Sequence, residues 1–384
     1  MLCIRHDRAS SLSRSAESVD RPQRLVLVIP SLGAGGAERV LSTLANEWVQ
    51  RGHDVVLITL TSTGNDFFPL DRKIRRAGLD LALNPRGGRW LTVNAARVNR
   101  LRSAIASAHP DVVVSFLDAA NLLTVVATRR LDVRVVVSVR ANPTTQDLKL
   151  SHRVLRRTLY PRASAVVMQT QEAAGWALGF VAAEKVFVIP NPATPPPHAP
   201  PAEREQNVAA LGRLLYEKGF DLLIDAFARC SARHPDWSLT IAGDGPELPA
   251  LVEQATALGV RDRIRFPGVI AEPHLLFSRS SLFVLPSRQE GFPMALLEAM
   301  GSSLPVIAAD CRFGPRTIVR NGVDGILVPA EDSAALAAAM AKLMDAPAER
   351  QRLARQAAAV LERFGLSSVA DRWEELFAAL PKRR

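Results

Sequence analysis

Short runs of Val, Leu and Ile recur along this chain, separated by longer stretches in which apolar and polar positions mix at helical spacing. In the first half the runs fall at residues 25–29, 55–60, 112–115, 133–139, 165–168 and 186–189. In the second they fall at 208–211, 238–241, 263–266, 282–285, 306–308 and 326–328. They show little polar alternation, which is the signature of strands buried on both faces, as in a parallel sheet covered by helices. Strand and helix alternate twice over, so the pattern predicts two α/β, doubly wound, Rossmann-like domains. An Ala-rich segment, 333–363, is predicted helical, and one more helix is expected over 367–380.

Length agrees with this division, because 384 residues exceed what one hydrophobic core usually holds. The expected organisation is a flexible extension over 1–23, a first domain over 24–189, a connector over 190–204, a second domain over 205–366, and a terminal helix with a basic tail over 367–384. That last helix has the option of packing back on the first domain. The connector contains Pro190-Asn-Pro-Ala-Thr-Pro-Pro-Pro-His-Ala-Pro-Pro201, whose prolines suit neither a helix interior nor a central strand. Two such domains facing each other bring their strand ends to a shared cleft, where open parallel sheets bind ligands.

Composition narrows the classes. The longest apolar stretch, 112–128, is interrupted by Asp118 and Asn121, so no window offers the roughly 18 apolar residues of a spanning helix. The first 23 residues scatter arginines among serines without an apolar centre and do not read as a secretion signal. Cys3, Cys230 and Cys311 have no paired or metal-ligand spacing, which fits a reducing cytoplasm. A net charge of +10 invites polyanions, yet no basic run interleaved with aromatics supports nucleic-acid binding. Around Leu148, Leu155 and Leu159 a helical face carries Arg153, Arg156 and Arg157, and two readings stay open: a dock for an anionic membrane surface, or a solvated helix face.

The candidate chemistry sits where strands end. Gly33, Gly35 and Gly36 follow the first strand and open a helix over 40–50, suiting close approach of a phosphate to backbone N–H groups. Their spacing is not the dinucleotide fingerprint, and a tight strand-to-helix turn explains them equally. Arg213 and Lys218 end the first strand of the second half, where two cations can neutralise a diphosphate. No Asp-x-Asp pair occurs, so no metal and no cofactor is expected, and leaving-group charge falls to side chains and helix ends. Gly243 lies in a Gly-Asp-Gly-Pro turn. The segment Ser287-Arg-Gln-Glu290-Gly-Phe-Pro-Met-Ala-Leu-Leu-Glu298 places one carboxylate before a helix expected to begin at Pro293 and the other about a turn and a half inside it. Backbone N–H groups at Phe292 and Met294 are then aimed at a phosphate. His109, His152 and His234 have no partners at ligand spacing and are expected to be surface or capping residues.

In this order, the glycine loop, proline-rich connector, Arg213 with Lys218, the Gly243 turn and the Glu290–Glu298 pair resemble the family 4 glycosyltransferases, retaining enzymes of the GT-B architecture. The resemblance implies that Arg213 and Lys218 hold a donor diphosphate, Glu298 bonds ribose hydroxyls, Glu290 meets the transferred sugar, Gly291 belongs with the donor-binding residues, and Phe266-Pro-Gly-Val269 brackets the nucleobase. Gly36-Ala-Glu38-Arg39 and Ser138-Val-Arg140-Ala-Asn142 look like the bacterial branch that builds lipid-linked oligosaccharides and exopolysaccharide repeat units, many members of which use a UDP-sugar. The implied partners are a nucleotide-sugar donor and a lipid-linked saccharide acceptor, met at the cytoplasmic face of the inner membrane. Two positions depart from the pattern. Arg140 stands where many relatives carry a histidine, and Thr317 where many carry an acid. Arg140, Asn142 and Asp118 are candidates for the acceptor or sugar pocket, Asp118 alternatively as a helix cap. A non-catalytic relative that binds a nucleotide sugar or a partner transferase is the competing reading.

Overall fold

Val, Leu and Ile take up strands here because branched side chains pack well on a pleated surface whose two faces are both dry. The computed structural model describes residues 21–64, 66–81, 90–140, 150–197 and 203–381. The first-half strands are β1 (Arg24–Ile29), β2 (Asp54–Thr59), β3 (Arg75–Gly78), β4 (Val112–Phe116), β5 (Arg134–Ser138), β6 (Ala165–Met168) and β7 (Val186–Val188). They form a sheet in the order β3-β2-β1-β4-β5-β6-β7, parallel throughout. Leu25, Leu27 and Ile29 face one core and Val26 and Val28 the other, which is why β1 tolerates no polar alternation.

The second half repeats the plan with β8 (Glu205–Leu211), β9 (Ser238–Ala242), β10 (Ile264–Arg265), β11 (Ser280–Leu285), β12 (Val306–Ala309) and β13 (Ile326–Val328). Their order is β10-β9-β8-β11-β12-β13, again parallel. Each sheet therefore reverses its winding once, between β1 and β4 and between β8 and β11, and these reversals open crevices at the carboxyl ends of the strands.

Several elements differ from the sequence expectation. Strand β3 reads Arg-Arg-Ala-Gly and carries no apolar run; it is an edge strand, held by pairing to β2 and by Arg75 on Asp54 at 2.7 Å. The 333–363 segment is three helices, Ser333–Asp345, Pro347–Ala357 and Val360–Phe364, interrupted where Pro347 cannot continue the preceding turn. Of the two expectations for His234, surface or cap, the structure shows the cap: it is 7% exposed, with Nδ1 2.8 Å from the Cys230 carbonyl in the last turn of the helix Phe220–Ser231 and Nε2 2.9 Å from Asp345.

The helix Leu366–Ala379 lies on the first domain's core. Trp373 stands edge-on to Trp48 with ring centroids 6.1 Å apart and stacks on Phe116 at 6.1 Å. Arg51 adds ion pairs to Asp371 at 2.6 Å and Glu374 at 3.2 Å. The chain crosses between the domains twice, side by side, with Ala193 N–H donating to the Phe364 carbonyl at 2.6 Å. The proline-rich stretch thus meets the returning chain at Ala193, which is fully buried.

Candidate active site

The strand ends after β1, β4 and β5 face those after β8, β9 and β11 across a cleft of about 1010 Å3. The helices Gly36–Gln50 and Met294–Gly301 both begin at this cleft, so the N–H groups of their first turns give it positive ends. Pro293 is the capping residue of the second helix, with φ −70° and ψ 111°, and Met294 its first helical residue. The helix thus starts one position later than expected, since the extended ψ of Pro293 keeps it outside the helix.

Two glycines fix the second-domain wall. Gly243 has φ +136°, and a Cβ there would lie 1.9 Å from the Gly212 carbonyl oxygen; only glycine lets the ends of β8 and β9 touch and set Arg213 at the rim. Gly219 has φ +67°, and a Cβ there would lie 2.2 Å from the Pro286 carbonyl oxygen, so the Lys218 turn rests directly on the loop after β11. Lys218 Nζ consequently donates to Glu290 Oε1 at 2.8 Å, and Ser287 Oγ donates to the same oxygen at 2.7 Å. Glu290 is 8% exposed, and a carboxylate that dry is retained because these two donors meet it.

The first domain reaches across to the second at Glu298. Arg39, in the helix that follows the glycine loop, sets Nε 3.0 Å from Glu298 Oε1. Burial pushes the Glu298 carboxyl up to about 7, against the pull of Arg39. Burial also raises Glu38 above the usual carboxylate range, opposed by its own backbone hydrogen bond and by the charge of Arg213. A carboxyl raised in this way holds its proton more tightly folded than unfolded. Its contribution to stability is present below pH 4.5 and is lost as the pH rises through 7. Glu298→Gln should therefore remove part of the fall in melting temperature between about pH 5 and about pH 7.5. Parallel wild-type and variant profiles would contradict this assignment.

A third cluster joins the domains at the cleft floor. Arg140 Nη1 donates to Asn191 Oδ1 at 2.6 Å, Gln169 Nε2 donates to the same oxygen at 2.7 Å, and Asn191 Nδ2 donates to the Phe292 carbonyl at 3.0 Å. The Arg140 guanidinium lies 4.0 Å over the Phe116 ring. Beside it, Leu117 holds φ +70° as the cap of the helix Asp118–Ala127, a backbone that costs a non-glycine residue about 1–3 kcal/mol and is commonest at functional sites.

Gly33, Gly35, Gly36, Arg213, Lys218, Gly243, Val269, Glu290, Gly291, Phe292, Pro293, Met294, Glu298 and Arg140 all line the cleft. Phe266 does not: it packs against the second-domain core, and Val269 and Ile270 face the cavity instead. Asp118 is also outside the cleft lining, and its side chain does not cap the helix. It is the first residue of its helix, accepts from Tyr160 Oη at 2.5 Å and pairs with Arg156. That pairing corrects the basic-helix expectation too, because Arg156 is 2% exposed while Arg153 and Arg157 remain at the surface. Asn142 lies outside the described residues.

Sequence reasoning gave no role to Arg39, Asn191 or Gln169. Arg39 was visible next to the glycine loop, and Asn191 between two prolines; Gln169 carries no local signal.

Two parallel-sheet domains facing across a cleft, with cations and carboxylates at the strand ends, define a GT-B glycosyltransferase. Residues 34–195 match the family model described as Glycosyltransferase Family 4, and residues 197–360 the one described as Glycosyl transferases group 1. The chain belongs to the family 4 glycosyltransferases. It is 25% identical over 357 residues to a Campylobacter jejuni α-1,4-N-acetyl-D-galactosaminyltransferase named for a PP-undecaprenol-linked saccharide, covering 92% of this chain and 98% of that one. It is 35% identical over 229 residues to a Streptomyces coelicolor exopolysaccharide phosphotransferase, but the match spans 58% of this chain and about a quarter, 24%, of that relative. Among solved structures, Anabaena HepE in complex with UDP superposes with a TM-score of 0.76 at 21% identity, covering 93% of this chain and 100% of that one.

Proposed function

We propose that this enzyme transfers a hexose or N-acetylhexosamine from a UDP-sugar to a hydroxyl of a lipid-linked saccharide, with retention of anomeric configuration. The observation that carries the reading is the Lys218–Glu290–Ser287 cluster, held at the mouth of the helix Met294–Gly301 and opposite the glycine loop. Arg213 and Lys218 take the diphosphate, the first turns at Gly36 and Met294 add their N–H groups, and Glu298 takes the ribose hydroxyls. Glu290, with the backbone from Gly291 to Met294, orients the transferred sugar.

In this reading the acceptor oxygen attacks the anomeric carbon on the face from which UDP leaves. The bond from that carbon to the β-phosphate oxygen breaks, and the acceptor proton passes to a donor phosphate oxygen. Charge gathers on the departing diphosphate, where Lys218, Arg213 and the helix ends meet it without a metal ion. Glu298 can serve the ribose once Arg39 releases it, and Arg39 is then free to face the phosphates.

The acceptor reading draws on the Campylobacter relative's lipid-linked substrate. None of the described helices is long and apolar enough to cross a membrane. The helix Leu150–Leu159 leaves Leu150 76% and Val154 52% exposed, with Arg153 and Arg157 at the surface around them, which suits peripheral docking on an anionic leaflet at the cytoplasmic face.

Incubating the enzyme with a UDP-sugar and undecaprenol-linked saccharides, and reading the new anomeric proton by NMR, tests the proposal. Acceptor-dependent UDP release with the donor's configuration kept is expected. Bound UDP-sugar with neither transfer nor hydrolysis would leave a non-catalytic nucleotide-sugar binder.

A further inference from the structure

Arg140 carries more charge than its surroundings use. It is 9% exposed and lines the cleft, and its Nη1 is held by Asn191. Its Nε and Nη2 are shielded from water and have no hydrogen-bond partner among the described residues. The guanidinium carbon lies over the rings of Phe116 at 4.0 Å and Trp373 at 5.6 Å, which attract the cation but offer no oxygen acceptor to its N–H groups. Burial lowers its pKa to about 9, which still leaves the group charged at neutral pH. A dry cation with two unused donors is costly unless something anionic completes it. An Arg edge matches the two oxygens of a carboxylate or phosphoryl group by paired N–H donors.

Position points to a saccharide in the cleft as the source of the anion. Asn191 ties Arg140 to the carbonyl of Phe292, within the loop assigned above to the transferred sugar. Arg213 and Lys218, on the other domain, already serve the donor diphosphate in that assignment.

We propose that Arg140 is a specificity-determining residue that binds an oxyanion substituent on a saccharide in the cleft. Either the transferred hexose is a hexuronate, or the acceptor sugar carries a phosphate. The inference rests on the UDP-sugar reading of the cleft and narrows its substrate class.

The test is calorimetric binding to wild type, Arg140→Gln and Arg140→Lys. The donor arm compares UDP, UDP-glucose and UDP-glucuronate with UDP-galactose and UDP-galacturonate. The acceptor arm, run with UDP present, compares hexose 6-phosphates with the free hexoses. Wild type should prefer the charged member of one arm by about tenfold or more, as a charge-assisted contact gives. Arg140→Gln should lose that preference while still binding UDP normally, and Arg140→Lys should keep part of it. A charge preference in the donor arm identifies a hexuronate donor, and one in the acceptor arm a phosphorylated acceptor.

No charge preference in either arm, with UDP bound normally, would overturn the subsite and leave the donor-site reading standing. Loss of UDP binding in Arg140→Gln and Arg140→Lys alike would also overturn it, making Arg140 a brace between Phe116, Trp373 and Asn191. Failure of wild type to bind UDP at all would sink the reading of the cleft and the subsite with it.

Discussion

Replacing Lys218 by alanine lowers turnover by about 10²–10³-fold, the usual cost of removing one preorganised charge donor from the site of charge development. The proposed reading gives this residue two duties. It holds Glu290 at 2.8 Å before the donor arrives, and it stands at the rim with Arg213 where a diphosphate would lie. The variant should still fold, because Ser287 continues to hold Glu290 and the Lys218 turn is set by Gly219 and not by the ammonium. Arginine should rescue little of the loss, since a planar fork does not replace a compact point charge in that space. Single-turnover rates at saturating donor check this. Near-normal turnover in Lys218→Ala would remove the lysine from the charge-stabilising role.

The second large effect is on stability. Trp373→Ala should cost about 3–5 kcal/mol, because the indole is fully buried in the first domain's core and deletion leaves a cavity that its close-packed neighbours cannot easily fill. Trp48, Phe116 and Phe377 all lose a ring neighbour at 6.1, 6.1 and 5.9 Å. The indole N–H has no hydrogen-bond partner among the described residues, so no such bond is lost with it and the cost sits toward the lower end of that range. Denaturant titration measures the change. A loss under about 1 kcal/mol would mean that the terminal helix contributes little to the first domain's core.

The particular residues show what a sequence can and cannot carry. Strands β1, β4 and β5 were legible because both their faces are buried, and a run such as Val112-Val-Val-Ser-Phe116 has no other comfortable place. Strand β3 was not, since an edge strand paired on one side needs no apolar run. Lys218, Glu290 and Glu298 were legible because each sits within about one turn of the start of a helix that follows a strand, so local spacing reports their position. The Arg39–Glu298 and Asn191–Phe292 contacts were not, because each joins residues over a hundred positions apart and depends on how the domains meet. Asp118 misled for a related reason. Its position after β4 suited a ligand, but its partner Arg156 comes from a helix that the local pattern had placed in solvent.

The central claim, a cleft that binds a uridine nucleotide through Lys218, Arg213 and Glu298, is tested most directly by thermal unfolding of the purified protein with UDP, GDP or ADP. A ligand that binds the folded state alone raises the melting temperature more the tighter it binds. The account predicts a rise selective for UDP that Glu298→Ala diminishes. The absence of a shift with any of the three nucleotides would contradict it.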